Sequence, residues 1–205
     1  MIEYICMGPF AHLGITAGVA IAANSIWNFR RPRQMPVQTS SYSIRRRQGF
    51  WQSLGIKPAI AVLLGAILSD LIDKPVGNFV FVDYFSNGRI FCHTLAFLSL
   101  ITFVGLFVYA FDKKPYMLLI AFGVFMHLVL DQMWLEPRTF YWPLYGLKFP
   151  RYTHMEPVAW IMGILRAIAS DPRVLLSELV GFGILAWLLI VSFGMGVKNR
   201  IFRSR

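Results

Sequence analysis

Residues 125–134, FMHLVLDQMW, set a histidine and an aspartate four positions apart inside an apolar run from Tyr116 to Leu135. On a helix, positions i and i+4 share one face, so His127 and Asp131 point the same way. An Asp at the centre of a membrane helix costs about 2.5–3.5 kcal/mol on insertion scales. Such a pair either hydrogen-bonds to itself as a buried couple or holds something.

The remainder of the chain has the same oily character. Of 205 residues, 57% are hydrophobic and 15% charged, where a soluble domain carries about 25% charge. Apolar segments near the spanning length of about 20 residues recur. The expected fold is all-α: a polytopic membrane bundle with about five transmembrane helices, roughly 9–28, 54–73, 90–111, 116–135 and 174–195. The apolar segment 157–169 is too short to cross alone and is expected to be an interfacial or re-entrant helix. Residues 1–205 form a single integral membrane domain, without internal repeats. MIEYICMGPF lacks the basic n-region of a signal peptide, so no cleavage is expected. Cys6 and Cys92 are too few for a disulfide framework or a thiolate metal site.

The net charge of +10 is a topology signal rather than a nucleic-acid footprint. Arg30, Arg31, Arg33, Arg45, Arg46 and Arg47 crowd the 30–50 loop, Lys113 and Lys114 a short turn, and Lys198, Arg200, Arg203 and Arg205 the 196–205 tail. Five alternating spans put all three segments on one side. That side is cytoplasmic, with the N-terminus outside, in the inner (plasma) membrane.

On this topology the polar residues gather at the outer level. His12 starts span 1, Asp70 and Asp73 end span 2, Arg89 and His93 open span 3, and His127 and Asp131 lie in the outer half of span 4. His154 and Glu156 follow in the outer loop. A lone histidine on an apolar face is commonly a hydrogen-bonded core residue, and Asp73-Lys74-Pro75 suits a helix stop. Three histidines and three aspartates at one depth point further. A divalent cation relieves the repulsion among the carboxylates and takes imidazole and carboxylate as ligands. The candidate metal ligands are therefore His12, Asp70, Asp73, His93, His127 and Asp131.

PFAHLGITAG, GAILSDLIDKP, GRIFCHTL and HLVLDQMWLEPRTFYWPLYG together resemble the YdjM-like, LexA-regulated group of membrane-bound metal-dependent hydrolases, in that family's order across most of residues 9–146. Many members carry a His-Arg pair and a Thr-His-Ser; here Gly88-Arg89 and Cys92-His93-Thr94 stand instead. The order of the ligands is also similar to that of zinc-dependent phospholipase C and the single-strand-specific zinc nucleases. That resemblance implies one or two divalent ions, zinc by analogy. Asp70 or Asp73 with His93, His127 and Asp131 would hold one, and His12, with Asp131 bridging, the other.

The chemistry that fits is hydrolysis of a phosphate ester or anhydride, with a lipid head group or polyprenyl phosphate as substrate at the outer face. Asp73, Arg89 and Asp131 are the catalytic candidates. Arg89, Arg138 and Trp142 are the substrate-binding candidates, Arg89 as a bidentate phosphate clamp. The bilayer is the other expected partner. Trp134, Phe140, Tyr141, Trp142 and Tyr145 suit an interfacial belt. A metal or proton transporter, or a non-catalytic protein with a structural metal, are the alternatives. A cysteine introduced between 34 and 44 should be labelled only from the cytoplasm, and one between 146 and 150 only from outside; the reverse pattern would place the polar level at the cytoplasmic face.

Overall fold

The computed structural model describes residues 8–30, 56–152 and 157–203, and among them it is built of helices and turns. The helices are α1 (Pro9–Arg30), α2 (Ile56–Pro75), α3 (Leu95–Asp112), α4 (Tyr116–Leu130), the single turn α5 (Pro137–Phe140), α6 (Pro157–Ser170) and α7 (Pro172–Arg203). Each expected span has a helix, and the short segment has α6. The boundaries shift where polar contacts intervene. α3 begins at Leu95 rather than 90, because residues 91–93 form a separate tight turn. Thr94 caps the helix, its side chain accepting from the Phe97 N–H at 3.0 Å. α4 stops at Leu130, and Gln132 then adopts a left-handed conformation, φ 52°.

Among the described residues, two helices are long and apolar enough to cross a membrane, Leu95–Asp112 and Pro172–Val191. This does not confirm five spans. α4, with 15 residues, is short of the roughly 20 that a perpendicular span needs. α2 carries Lys57, Asp70, Asp73 and Lys74, and α1 is rich in Gly, Ala, Thr and Asn rather than large apolar residues. The α3 surface is what a bilayer would meet. Leu100, Phe103, Phe107 and Phe111 form an exposed stripe at helical spacing, so its hydropathy is not that of a buried core helix.

α4 lies between α2 and α3, and α1 packs on α7, α2 and α4. The apolar core joins Ile101, Ala121, Val124, Leu128 and Met133, with Leu68, Phe97 and Leu98 against them. On α4, Phe125 is exposed and Leu118, Phe122 and Val129 are partly so, whereas His127 and Asp131 are buried. That is the inward orientation their spacing implies.

Two helix crossings are close enough to exclude side chains. A Cβ on Gly65 would run into the Ile120 carbonyl, and one on Gly123 into the Val62 carbonyl. Likewise Gly14 abuts the backbone of Gly181, and Gly181 that of Phe10. These contacts set α2 parallel to α4 and α1 parallel to α7. The ends of α2 and α4 and the starts of α1, α3 and α7 therefore come to one end of the bundle. α7 also sends Glu178 across to α1, where its buried carboxylate accepts from the N–H groups of Phe10 (3.3 Å) and Ala11 (3.0 Å). The first N–H groups of a helix have no partner inside it, so a residue from another helix caps α1 and fixes the height of His12.

Gly65→Val should part α2 from α4. Overpacking usually costs about 1–3 kcal/mol, and here the obstacle is backbone, so the loss should reach at least that range. Thermal unfolding in detergent reads it, and an unchanged melting temperature would contradict the crossing.

Candidate metal centre

The site is assembled around Asp73, which is buried at the last turn of α2. Its carboxylate accepts from the backbone N–H groups of Ile90 (2.9 Å), Cys92 (2.9 Å) and His93 (3.2 Å), and from His93 Nδ1 at 2.7 Å. Asp73 thus ties the 90–93 turn to α2 and turns the Nε2 of His93 inward. Ser69 supports the same turn by donating to the Cys92 carbonyl at 3.1 Å. The sequence places Asp73 among the ligands; the structure sets it behind His93, as the carboxylate that orients a ligand.

His127 is oriented from α2 as well. Its Nδ1 lies 2.8 Å from the Ala66 carbonyl, which can only accept, so Nδ1 carries the proton and Nε2 the lone pair. The two Nε2 atoms face each other at 3.2 Å. Asp70 Oδ1 stands 3.5 Å from the first and 3.8 Å from the second. With both Nδ1 atoms donating, these are three acceptors in close array, and they repel unless a cation or proton lies among them. Metal bonds of 2.0–2.2 Å in a tetrahedral site separate ligand atoms by about 3.3–3.6 Å, so the spacing fits. Asp70, His93 and His127 form a cluster able to hold a metal ion.

Asp131 and His12 flank this trio. Asp131 Oδ2 is 3.9 Å from both Nε2 atoms, and Oδ1 is 3.1 Å from His12 Nε2. The latter contact is close but poorly aligned: Oδ1 is buried without a well-formed hydrogen bond, as is His12 Nδ1. The His12 ring stacks on that of His127, centroids 4.3 Å apart.

Arg89 departs from its expected role. Its guanidinium spans two buried carboxylates, NH2 to Asp131 Oδ2 at 3.0 Å and NH1 to Glu136 Oε1 at 2.7 Å. The fork expected to clamp phosphate is engaged inside the protein. Glu136 also accepts from the Tyr152 hydroxyl at 3.3 Å. Neither Glu136 nor Glu178 is singled out by the sequence. Glu136 lies five positions after Asp131 beyond a helix end, and no helical spacing links them. Arg138 is exposed on α5. Trp142 belongs to an aromatic cluster with Phe91 and Phe149, and its indole N–H donates to the Leu147 carbonyl. His154 and Glu156 lie outside the described residues.

The site has an open edge. His93 and His127 are fully buried, whereas the Asp70 side chain is 26% exposed and its Oδ2 is held by Lys74 at 2.6 Å. Burial opposes a charge on His93, but the carboxylates of Asp70 and Asp73 outweigh it and hold its pKa above the ordinary imidazole value. Burial, and then Asp73, push the Cys92 thiol up to about 12. It is no thiolate at neutral pH, and so neither ligand nor nucleophile.

With this geometry established, the comparison with known proteins is informative. Residues 7–199 match the model of the YdjM inner membrane protein family. The chain belongs to that family. Membership marks it as an inner membrane protein, in accord with the exposed apolar faces of α3 and α7. No curated protein and no solved structure matches the chain.

The site's two tiers should separate on mutation. His127→Ala should abolish binding of a divalent ion, and Asp73→Ala, which loosens His93, should weaken it about 10–100-fold. Because the raised His93 pKa lets protons compete, loading should fall as pH drops through that value. Chelator competition on purified protein measures all three, and undiminished affinity in His127→Ala would refute the centre.

Proposed function

We propose that this protein is a membrane-embedded, metal-dependent hydrolase of a phosphate ester or anhydride, acting on a lipid head group or polyprenyl phosphate. The observation that carries this reading is the convergence of His93 Nε2, His127 Nε2 and Asp70 Oδ1 with both Nδ1 atoms already committed. The donor set of two imidazoles and a carboxylate suits zinc, and three protein ligands with an open position is the pattern of catalytic rather than structural zinc. A bound divalent cation supplies Lewis acidity towards phosphoryl oxygens and acidifies water near neutral pH.

The chain's own groups have distinct tasks in this reading. Water and the phosphoryl group enter past the exposed edge of Asp70, where Lys74 offers positive charge. Asp131 Oδ1 takes the proton released by the attacking water and passes it to His12 Nε2, 3.1 Å away. Arg89 keeps the Asp131 carboxylate turned towards the site through Oδ2. Asp73 keeps His93 in the tautomer that offers Nε2. The exposed Arg138 and the Trp142 cluster remain candidates for the lipid's outer phosphates and chain.

Five alternating spans, the N-terminus outside and the site at the extracytoplasmic face belong to the same proposal. The helix directions support it, since α1, α3 and α7 start where α2 and α4 end. The basic turn at Lys113 and Lys114 lies at the opposite end of α3.

Zinc-loaded protein in mixed micelles should release inorganic phosphate from a polyprenyl pyrophosphate or from phosphatidic acid. Asp131→Asn should lower that rate about 10²–10⁴-fold while keeping its metal. Phosphate release from neither lipid, with metal occupancy intact, would leave the site a structural or transport site.

A further inference from the structure

The buried charges at the site do not cancel. Asp70, Asp73, Asp131 and Glu136 supply four carboxylates, and Lys74 and Arg89 two fixed cations. With the imidazoles neutral, as metal ligands must be, the cluster lacks two positive charges. Uncompensated charge is costly in a buried site, and one divalent ion restores balance. A second would overshoot by as much.

The position a second ion would take is also filled. His12 Nε2 and the Asp131 and Glu136 carboxylates form an imidazole–carboxylate donor set beside the first centre, and the Arg89 guanidinium lies across its two acids at 3.0 and 2.7 Å. The arginine side chain is 13% exposed and the two acids 3% and 5%, so this is an interior cation. The poorly aligned Asp131 Oδ1 and the unbonded His12 Nδ1 are what a donor set would show when its cation is anchored on only one side.

We infer that Arg89 is the site's built-in second cation: the protein holds a single divalent ion, and Arg89 keeps another from binding between His12, Asp131 and Glu136. The inference rests on the metal-centre reading. Arg89 acts here as a positioning residue and a selectivity filter for metal number, not as a substrate clamp.

The test counts metal. Protein purified in detergent is loaded with zinc chloride, freed of loose ions by gel filtration, and its zinc-to-protein ratio measured by plasma mass spectrometry. The native chain should carry one ion. Arg89→Met, which strips the guanidinium from two buried acids, should carry two, and adding Glu136→Gln should return it to one. Arg89→Lys, which keeps the charge, should stay at one. Arg89→Gln replaces Arg89→Met if the latter fails to fold. Two ions in the native chain, or one in both charge-removing variants, would overturn the inference and leave the metal centre standing. No ion in the native chain would remove the metal centre itself and this inference with it.

Discussion

The structure depends on one carboxylate. Asp73 collects three backbone N–H groups and an imidazole N–H from a turn about twenty residues downstream. Remove it and the N–H groups of residues 90, 92 and 93 lose a buried acceptor. The turn would then be free to drift, and with it go the cap of α3, the direction of His93 and the Arg89 guanidinium just before it. Buried donors left without partners cost about 1–3 kcal/mol each, so the metal centre and the local fold share a single support.

Around that support the protein separates holding from orienting. His93, His127 and Asp70 present lone pairs to one point, and each is steered by a group that cannot itself reach it: Asp73, the Ala66 carbonyl and Lys74. The Ala66 contact exists because Gly65 and Gly123 bring the α2 and α4 backbones almost into touch. Small residues at a helix crossing, usually discussed for packing, here let a main-chain oxygen choose a histidine tautomer.

Much of this was legible beforehand, and the limits are physical. The helices follow from apolar runs bounded by charge, and the inward face of α4 from the spacing of His127 and Asp131. The convergence of His12, Asp70, Asp73, His93, His127 and Asp131 at one end follows from alternating helix directions. What could not be read is the rank of those residues. Asp70 and Asp73 sit three apart on one helix, and only the path of the 90–93 turn decides which faces the imidazoles. Glu136 and Glu178 meet their partners 47 and 168 positions away, and no period in the chain announces either contact. The five-span reading relied on run length. α1, α2 and α4 are less apolar or shorter than a lipid-facing helix requires because part of each surface serves the site and the neighbouring helices.

Glu178 also links the site to the order in which the chain is made. α1, which carries His12, emerges first, yet the carboxylate that caps it belongs to α7, the last helix. Until α7 is in the membrane, the start of α1 has no partner from Glu178, and His12 is not held at the level of Asp131. The centre is therefore completed at the end of synthesis. A half-inserted chain would carry its metal-binding trio without the imidazole beside Asp131, and any chemistry that needs both would begin only once the whole bundle has closed.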